Sequence, residues 1–263
     1  MHLRNNWVGT LGLALAASIA CGGSKSSEPA APAAGPSGGQ KVDPATAGDD
    51  KGVVSFEGTA PKNVPIMMNA DPVCVKANST PQFQETYSVE DGKLANVFIY
   101  VKDGLGNYAF DPPTEMAKID QMSCRYHPHV FGVRVNQPIE ILNSDDTLHN
   151  IHALPKANSE FNNGQPIKGM KMNHVFTTKE VMVPFKCDVH GWMNAYVGVL
   201  DHPYFMTTGK DGSFELKGLP PGTYTIEAWH EKLGPMTQSV TVGAKETKEV
   251  NFAFKASAAT ATD

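Results

Sequence analysis

The chain has 263 residues, of which 41% are hydrophobic, 8% aromatic and 19% charged, so it carries enough apolar surface to form a folded core. Its 22 Lys and Arg against 27 Asp and Glu give a net charge of −5, and no basic run occurs, which excludes nucleic acid as the main partner. The 24 Gly and 19 Pro, together with few stretches of helical periodicity, predict an all-β fold of short strands and turns.

The amino-terminal segment has the pattern of an export signal. Arg4 precedes 14 uncharged residues, 7–20, a stretch shorter than the roughly 20 residues that a membrane-spanning helix needs. The small residues before Cys21, and Gly22 after it, resemble a bacterial lipoprotein signal. The resemblance implies that residues 1–21 form the signal, that Cys21 is lipidated, and that the protein is a membrane-anchored lipoprotein of the periplasm or cell envelope. The alternative is an ordinary secretion signal that is cleaved.

Residues 22–51 have the composition of a flexible linker. Of the 29 residues 22–50, 20 are Gly, Ala, Ser or Pro, and Val42 is the only large aliphatic residue. So few apolar side chains do not offset the entropy lost when the chain is ordered. We therefore expect residues 22–51 to be a disordered tether.

Short runs of β-forming residues, separated by turn-forming residues, recur after residue 51. They lie at residues 53–56, 96–101, 132–135, 139–142, 213–216, 223–228, 238–242 and 249–254. This pattern predicts a β-sandwich or barrel. Residues 158–173, which include Gly164 after two asparagines, are predicted to form a loop.

Four side chains suited to binding a soft metal lie near the ends of two predicted strands. Cys187, His190 and Met193 share one short loop after the apolar residues 181–185, and His149 follows another strand and a turn. Each residue alone is more often a core or hydrogen-bonded residue than a ligand. Together, two imidazoles, one thiolate and a thioether form the donor set of a blue-copper electron-transfer site. The sequence therefore predicts such a site.

Residues 95–200 resemble the cupredoxins, and the loop spacing is most similar to that of amicyanin. The resemblance implies a cupredoxin Greek-key β-sandwich within a domain of residues 52–202. It implies one type 1 copper with four ligands, namely His149, Cys187, His190 and Met193. His190 is expected at an exposed edge, and Asn150 is similar to a residue that ties the two ligand loops together in this family.

Trp192, next to His190, has two interpretations. An apolar patch of Gly191 and Trp192 around the imidazole would be the port where a redox partner docks. The alternative is that Trp192 is a core residue.

The other cysteines form an even pair. With Cys21 and Cys187 assigned, Cys74 and Cys124 remain in an exported chain, and this predicts a disulfide between them. The alternative is a second metal site made by Cys124, His127 and His129. Among the remaining histidines, His152 and His174 are expected to be hydrogen-bonded or solvated, and His230 has no assigned role.

Residues 208–224 resemble the carboxypeptidase regulatory-like, transthyretin-like β-sandwich, with a turn, a strand, a Pro-Gly turn and a second strand. The resemblance implies a second, smaller sandwich at residues 203–255. Its four or five strands are few for an independently stable sandwich, so strands from residues 52–103 are candidates to complete it. The sequence leaves open whether the cupredoxin-like domain is inserted into this sandwich or follows in tandem.

The sequence favours a membrane-tethered, exported copper protein that is not an enzyme. We expect it to pass single electrons between a donor and an acceptor such as cytochromes or other copper proteins. A copper carrier or buffer without fast redox cycling is the alternative, and a structural or adhesion module is the third class. A hydrolase is not favoured, because neither a Gly-x-Ser-x-Gly nor a His-Glu-x-x-His motif occurs.

Overall fold

The computed structural model describes residues 38–256, and the all-β prediction is confirmed for this range. The export signal, Cys21 and the first part of the predicted linker lie outside the described residues. One short helix, α1 (Pro72–Ala77), accompanies 21 strands between residues 38 and 256. In chain order the strands are β1 (Gly48–Glu57), β2 (Pro65–Ile66), β3 (Gln82–Phe83), β4 (Val89–Glu90), β5 (Lys93–Leu94), β6 (Phe98–Asp103), β7 (Ala117–Met122), β8 (Arg125–His127), β9 (Val130–Arg134), β10 (Pro138–Asn143), β11 (His149–Ala153), β12 (Phe161–Gln165), β13 (Lys171–Val175), β14 (Glu180–Lys186), β15 (Asn194–Leu200), β16 (Phe205–Thr207), β17 (Ser213–Leu219), β18 (Gly222–His230), β19 (Gly234–Val242), β20 (Thr247–Glu249) and β21 (Phe252–Lys255). Within this range, no helix has the length and apolar character needed to cross a membrane.

Strands from both ends of the described chain form one sandwich, which we call the terminal sandwich. In its first sheet, β17, β1, β5 and β4 lie side by side, and β20 and β21 pair in parallel with β1. The second sheet has the order β16-β6-β18-β19. Because side chains alternate along a strand, Val54 and Phe56 of β1 point inward. They share a buried cluster with Ile99 and Ile226 of the second sheet.

Strands β7 to β15 form a second sandwich, which we call the inserted sandwich. Its sheets have the orders β13-β10-β7-β8 and β12-β11-β14-β15-β9. Ile119 and Ile139 of the first sheet share a buried cluster with Val183 and Val197 of the second. The prediction of two sandwiches is therefore confirmed.

The chain enters and leaves the inserted sandwich through two neighbouring strands of the terminal sandwich. β6 and β16 pair in antiparallel fashion, with Tyr100 opposite Phe205. The inserted sandwich therefore interrupts the terminal sandwich and does not follow it in tandem. The cupredoxin-like domain predicted at residues 52–202 includes too many residues at its amino-terminal end, because β1, β4, β5 and β6 pair with strands of the terminal sandwich.

The linker prediction is wrong for the last residues of the segment 22–51, because β1 begins at Gly48. Backbone pairing needs no large side chain, and both Gly48 and Gly52 lie where strands approach closely. A Cβ atom would come within 2.5 Å of a neighbouring carbonyl oxygen at Gly48 and within 1.7 Å at Gly52. Upstream, Gln40 pairs with Tyr108 in an isolated bridge. Gly48, one of the glycines that suggested a linker, is thus required by strand packing, as is Gly52 directly after the predicted linker.

The two sandwiches pack together around Phe98, which is fully buried on β6. Gly132 and Gly198 lie opposite each other on β9 and β15 of the inserted sandwich. A Cβ atom would come within 2.7 Å of the Phe98 ring at Gly132 and within 2.4 Å at Gly198. The missing side chains at these glycines make the space that the ring occupies.

We expect Gly198→Ala to lower the free energy of unfolding by about 1–3 kcal/mol, because the added methyl group overlaps the Phe98 ring in a packed interface. Urea unfolding followed by circular dichroism measures the change. Gly164→Ala is the matched control, since Gly164 also lies in a strand and a Cβ there meets only Leu148, at 3.9 Å. Equal unfolding midpoints for the two variants would show that the interface does not depend on this glycine.

Residues 65–83, which we call the cover segment, lie over one end of the inserted sandwich. Its β2 and β3 pair in antiparallel fashion, with α1 between them. Asp71 caps α1 by accepting hydrogen bonds from the N–H groups of Val73 and Cys74. A disulfide joins Cys74 to Cys124, which lies between β7 and β8. The cover segment is therefore attached covalently to the sandwich beneath it.

Candidate metal site

His149 is fully buried at the start of β11. Its Nδ1 atom lies 2.9 Å from Nδ1 of His190, and its Nε2 atom lies 2.9 Å from Oδ2 of Asp145. An ionised carboxylate only accepts hydrogen bonds, so Nε2 carries a proton and Nδ1 faces His190. A carboxylate behind an imidazole is the arrangement that orients metal-binding histidines.

Cys187, His190 and Met193 lie in the tight loop between β14 and β15. The Cys187 N–H donates to the Met193 carbonyl oxygen at 3.1 Å, and the Met193 N–H donates to the His190 carbonyl oxygen at 2.9 Å. The His190 N–H donates to Sγ of Cys187 at 3.3 Å. These hydrogen bonds fix the loop, and the N–H donor favours the thiolate form of Cys187.

Asn150 connects the strand that carries His149 to the loop that carries Cys187. Its Oδ1 atom accepts hydrogen bonds from the Asp188 N–H at 2.7 Å, the Val189 N–H at 3.3 Å and the Cys187 thiol at 3.2 Å. One side chain therefore sets the position of the loop relative to β11. It makes the tie between ligand loops that the cupredoxin resemblance implies.

The donor atoms of His149, His190 and Cys187 converge, with all three lying within 4.8 Å of one another. The Nε2 atom of His190 lies 3.0 Å from Oδ2 of Asp71, so its Nδ1 atom faces that of His149. Two imidazole lone pairs at this distance repel unless a proton or a metal cation lies between them. The three residues are at most 3% exposed. Two imidazoles and a thiol at one buried point fit a soft or borderline transition metal.

Met193 lies in the same buried region as the other three predicted ligands. It is 1% exposed and belongs to the same cluster of contacting side chains as Cys187. Its backbone closes the ligand loop, as described above. The structure therefore brings all four predicted ligand residues to one end of the inserted sandwich.

The hydrogen bonds of the site alter the charge states of its groups. Burial alone would lower the pKa of His149, but hydrogen bonds with Asp145 and Cys187 raise it to about 9. Burial alone would raise the pKa of the Cys187 thiol, but the hydrogen bond with His149 and nearby N–H groups lower it. Burial lowers the pKa of His190. At neutral pH the proton between the two Nδ1 atoms therefore resides on His149, and a metal bound by both histidines would displace it.

The prediction that His190 lies at an exposed edge is wrong. His190 is only 3% exposed, because Asp71 and Cys74 of the cover segment contact its Nε2 atom at 3.0 Å and 3.7 Å. Trp192 also packs against His190, with ring centroids 4.9 Å apart, and its Nε1–H donates to the Cys124 carbonyl oxygen. Trp192 is half-buried and packs on His190, and the His190 imidazole itself does not reach the surface where the docking port was expected.

A disulfide joins Cys74 and Cys124, with an S–S distance of 1.99 Å. Cys124 therefore has no free thiol, and the alternative second metal site with His127 and His129 is not formed. Both ring nitrogens of His129 face acceptors, a backbone carbonyl oxygen at 3.1 Å and Oε1 of Glu231 at 2.6 Å. Burial alone would lower the pKa of His129, but Glu231 raises it, so this side chain belongs to an ion pair.

Three other histidines that the sequence analysis named make packing or hydrogen-bond contacts in the structure. His152 is hydrogen-bonded to two carboxylates, at 2.9 Å and 2.7 Å. His174 stacks on Phe161, with ring centroids 3.8 Å apart, and its Nε2 atom has no hydrogen-bond partner among residues 38–256. His230 is buried, and its Nδ1 atom accepts two backbone N–H groups at 3.2 Å each.

Sequence reasoning missed the two carboxylates behind the ligand histidines. Asp145 precedes His149 by four residues, and this spacing was a usable signal for a carboxylate partner. Asp71 lies 119 positions from His190, and its place directly before Pro72 in the sequence suggests only a helix cap. Folding of the cover segment alone brings it to the site.

A model of the carboxypeptidase regulatory-like domain family matches residues 193–255. The match begins at Met193 and ends at the last strand of the terminal sandwich. It supports the second resemblance drawn from the sequence. No curated protein matches the chain by sequence.

Solved copper proteins give weak structural matches. A copper-containing nitrite reductase from Thermus scotoductus SA-01 matches with 16% identity and a TM-score of 0.32, over 36% of this chain and 24% of that chain. A purple cupredoxin from Nitrosopumilus maritimus matches with 22% identity and a TM-score of 0.28, over 32% of this chain and 98% of that chain. An amicyanin variant in its Cu(I) form matches with 17% identity and a TM-score of 0.29, over 38% of this chain and 97% of that chain. The chain thus spans about a quarter of the length of the nitrite reductase.

Proposed function

We propose that this protein is an exported type 1 copper protein that carries single electrons between redox proteins. The observation that carries the proposal is the buried convergence of His149, His190 and Cys187, with Met193 in the same loop as two of them. One bound copper ion would supply a one-electron couple between Cu(I) and Cu(II).

The protein contributes a donor set that is held rigidly. Asp145 and Asp71 hold the two imidazoles from behind, and Asn150 holds the Cys187 loop. Donor atoms fixed in this way move little when the charge at the site changes, which favours fast electron exchange. Burial also keeps water and oxidants away from the Cys187 thiolate.

The site also has the order thiol, imidazole, carboxylate, which is that of a nucleophilic triad. Cys187 is 2% exposed and His149 is 0% exposed, so a substrate carbonyl group does not reach the sulfur atom. We therefore propose metal binding and electron transfer, and not catalysis, for these residues.

A copper carrier or buffer is the second candidate function, and the cover segment favours it. An electron carrier works best when the distance between its metal and its partner is short. The cover over His190 lengthens that distance on the side where the imidazole would otherwise meet a partner. The same cover would hold a stored metal ion securely.

We further propose that the protein is exported and tethered to a membrane through lipidated Cys21, with donor and acceptor redox proteins as partners. The Cys74–Cys124 disulfide supports an oxidising compartment. Metabolic labelling with tritiated palmitate tests the tether, and Cys21→Ser should abolish both the label and membrane fractionation. A soluble, unlabelled wild-type protein would favour the ordinary secretion signal.

Reconstitution with Cu(II) tests the proposed function. We expect one copper per chain, an intense visible sulfur-to-copper absorption band, and electron exchange with a small-molecule redox partner that is fast relative to copper release. A colourless protein that binds only Cu(I) would favour the carrier. Failure to bind either oxidation state would overturn both proposals.

Met193→Leu should keep the visible band and raise the reduction potential, because a weak axial sulfur ligand stabilises Cu(II). Leucine conserves the volume of methionine, so the free energy of unfolding should fall by about 1 kcal/mol or less. Redox titration followed at the visible band measures the potential. Met172→Leu is the control, since Met172 packs against the same core and is not a predicted ligand. Loss of copper from Met193→Leu alone would show that the axial assignment is wrong.

A further inference from the structure

The cover segment reaches the metal site through one carboxylate. Oδ1 of Asp71 accepts the N–H groups of Val73 and Cys74, at 2.7 Å and 3.4 Å, and so caps α1. Its Oδ2 atom lies 2.7 Å from the Thr147 hydroxyl group and 3.0 Å from Nε2 of His190. Asp71 therefore joins the cover segment, the loop before β11 and a ligand imidazole.

Asp145 makes a matching set of contacts on the other imidazole. Its two carboxylate oxygens accept the N–H groups of Ser123 and Cys124, at 2.8 Å and 2.7 Å. Oδ2 also lies 2.9 Å from Nε2 of His149. The Asp145 carboxylate is therefore held by the backbone on the other side of the disulfide.

The disulfide connects these two sets of contacts. The N–H of Cys74 donates to the carboxylate behind His190, and the N–H of Cys124 donates to the carboxylate behind His149. Both half-cystines are fully buried, and Sγ of Cys74 lies 3.7 Å from Nε2 of His190. One covalent bond thus fixes both carboxylates and closes the cover over the site.

We propose that the disulfide-anchored cover segment positions the ligand imidazoles and controls access to Cys187, with Asp71 as the positioning residue of His190. The proposal deepens the proposed function, on whose metal site it rests. Closure by Asp71 and the disulfide keeps His190 in the tautomer whose Nδ1 faces His149, and it covers His190, whose backbone N–H lies 3.3 Å from the Cys187 sulfur atom. Opening of the cover exposes the donors, and metal enters or leaves in that open state.

Asp71→Asn tests the positioning role. The carboxylate accepts hydrogen bonds on both oxygens, whereas an asparagine amide has only one acceptor oxygen and cannot serve the helix cap and His190 together. Asparagine is as good a helix cap as aspartate, so α1 is retained. Nitrogen-15 NMR of the metal-free full chain should show a single His190 tautomer with the proton on Nε2 in the wild type, and a mixture of tautomers in Asp71→Asn.

The accessibility of Cys187 provides a readout that needs no metal. N-ethylmaleimide labelling of the metal-free protein, quantified on the Cys187 peptide by mass spectrometry, should be at least tenfold faster in Asp71→Asn than in the wild type. The double variant Cys74→Ser, Cys124→Ser should show the same acceleration. Asp211→Asn is the matched control and should label at the wild-type rate, since Asp211 holds a turn through Ser213 in the terminal sandwich.

Removal of Cu(I) by the chelator bathocuproine disulfonate completes the test, with at least tenfold faster loss expected from Asp71→Asn and no change in Asp211→Asn. An unchanged labelling rate and a single His190 tautomer in a folded Asp71→Asn would overturn the proposal. If the double cysteine variant does not fold, Asp71→Asn alone decides. If the protein binds no copper, the labelling and NMR results still decide the role of the cover, so this failure is distinct from that of the proposed function.

Discussion

Cys187→Ser should abolish the visible absorption band of the copper-loaded protein. The band requires a sulfur ligand. A serine hydroxyl group is a harder donor and a much weaker acid than a thiol, so it does not supply a comparable ligand. Loss of a residue that only hydrogen-bonds to a metal ligand lowers metal affinity by roughly 10–100-fold. Loss of the sulfur ligand itself should therefore lower copper affinity by at least about 100-fold. Absorption spectroscopy during copper titration measures both effects.

His174→Gln is the control for this result. His174 lies in the inserted sandwich, where it stacks on Phe161, and it is not among the converging donors. Its substitution should leave the band and the copper stoichiometry unchanged. A Cys187→Ser protein that keeps the intense band would mean that a different sulfur atom binds copper.

The contribution of Asp50 to the stability of the protein should fall as the pH rises from about 4 to about 7, because its buried carboxyl group ionises over this range. This residue is fully buried in β1, and neither carboxylate oxygen has a hydrogen-bond partner within residues 38–256. Burial raises its pKa from 3.8 to about 7. The folded protein keeps this proton over a range where the unfolded chain has released it, so the contribution of Asp50 is greatest below pH 3.8 and its loss levels off above about 7. The expected contribution is about 4 kcal/mol.

Asp50→Asn removes this ionisation, so the variant should gain stability relative to the wild type as the pH rises. Urea unfolding at a series of pH values measures the difference between the two proteins, which cancels the effect of other titrating groups. Asp91→Asn serves as the control for the same substitution at an exposed position, because Asp91 is exposed in a turn. A constant difference between Asp50→Asn and wild type from pH 4 to 8 would contradict the assignment.

The parts of the site that depend on local sequence were predictable. Cys187, His190 and Met193 share a short loop, whose closure needs only hydrogen bonds among these residues. His149 and Asn150 follow a turn before β11, so their position could be inferred from strand order. The all-β fold was predictable for the same reason, since alternation along a strand is a local property.

The parts that depend on distant contacts were not predictable. His190 was expected at an exposed edge from the cupredoxin resemblance, and nothing in its own loop reveals Asp71, 119 positions away, which covers it. Residues 158–173 were predicted to be a loop, yet they contain β12 and the start of β13. Two polar side chains of β12, Asn162 and Asn163, are exposed, and Asn162 is hydrogen-bonded to Asn150 and Asp188 at 2.7 Å each. Hydrophobic patterning does not detect a strand of this kind.

We propose that one sulfur and two imidazole nitrogens hold a single copper ion at the end of the inserted sandwich. X-ray absorption spectroscopy at the copper edge of the loaded full chain tests it most directly. We expect one short copper–sulfur distance and two copper–nitrogen distances from imidazoles, with the sulfur contribution lost in Cys187→Ser. A first shell of oxygen and nitrogen alone, or one unchanged by Cys187→Ser, would contradict the claim.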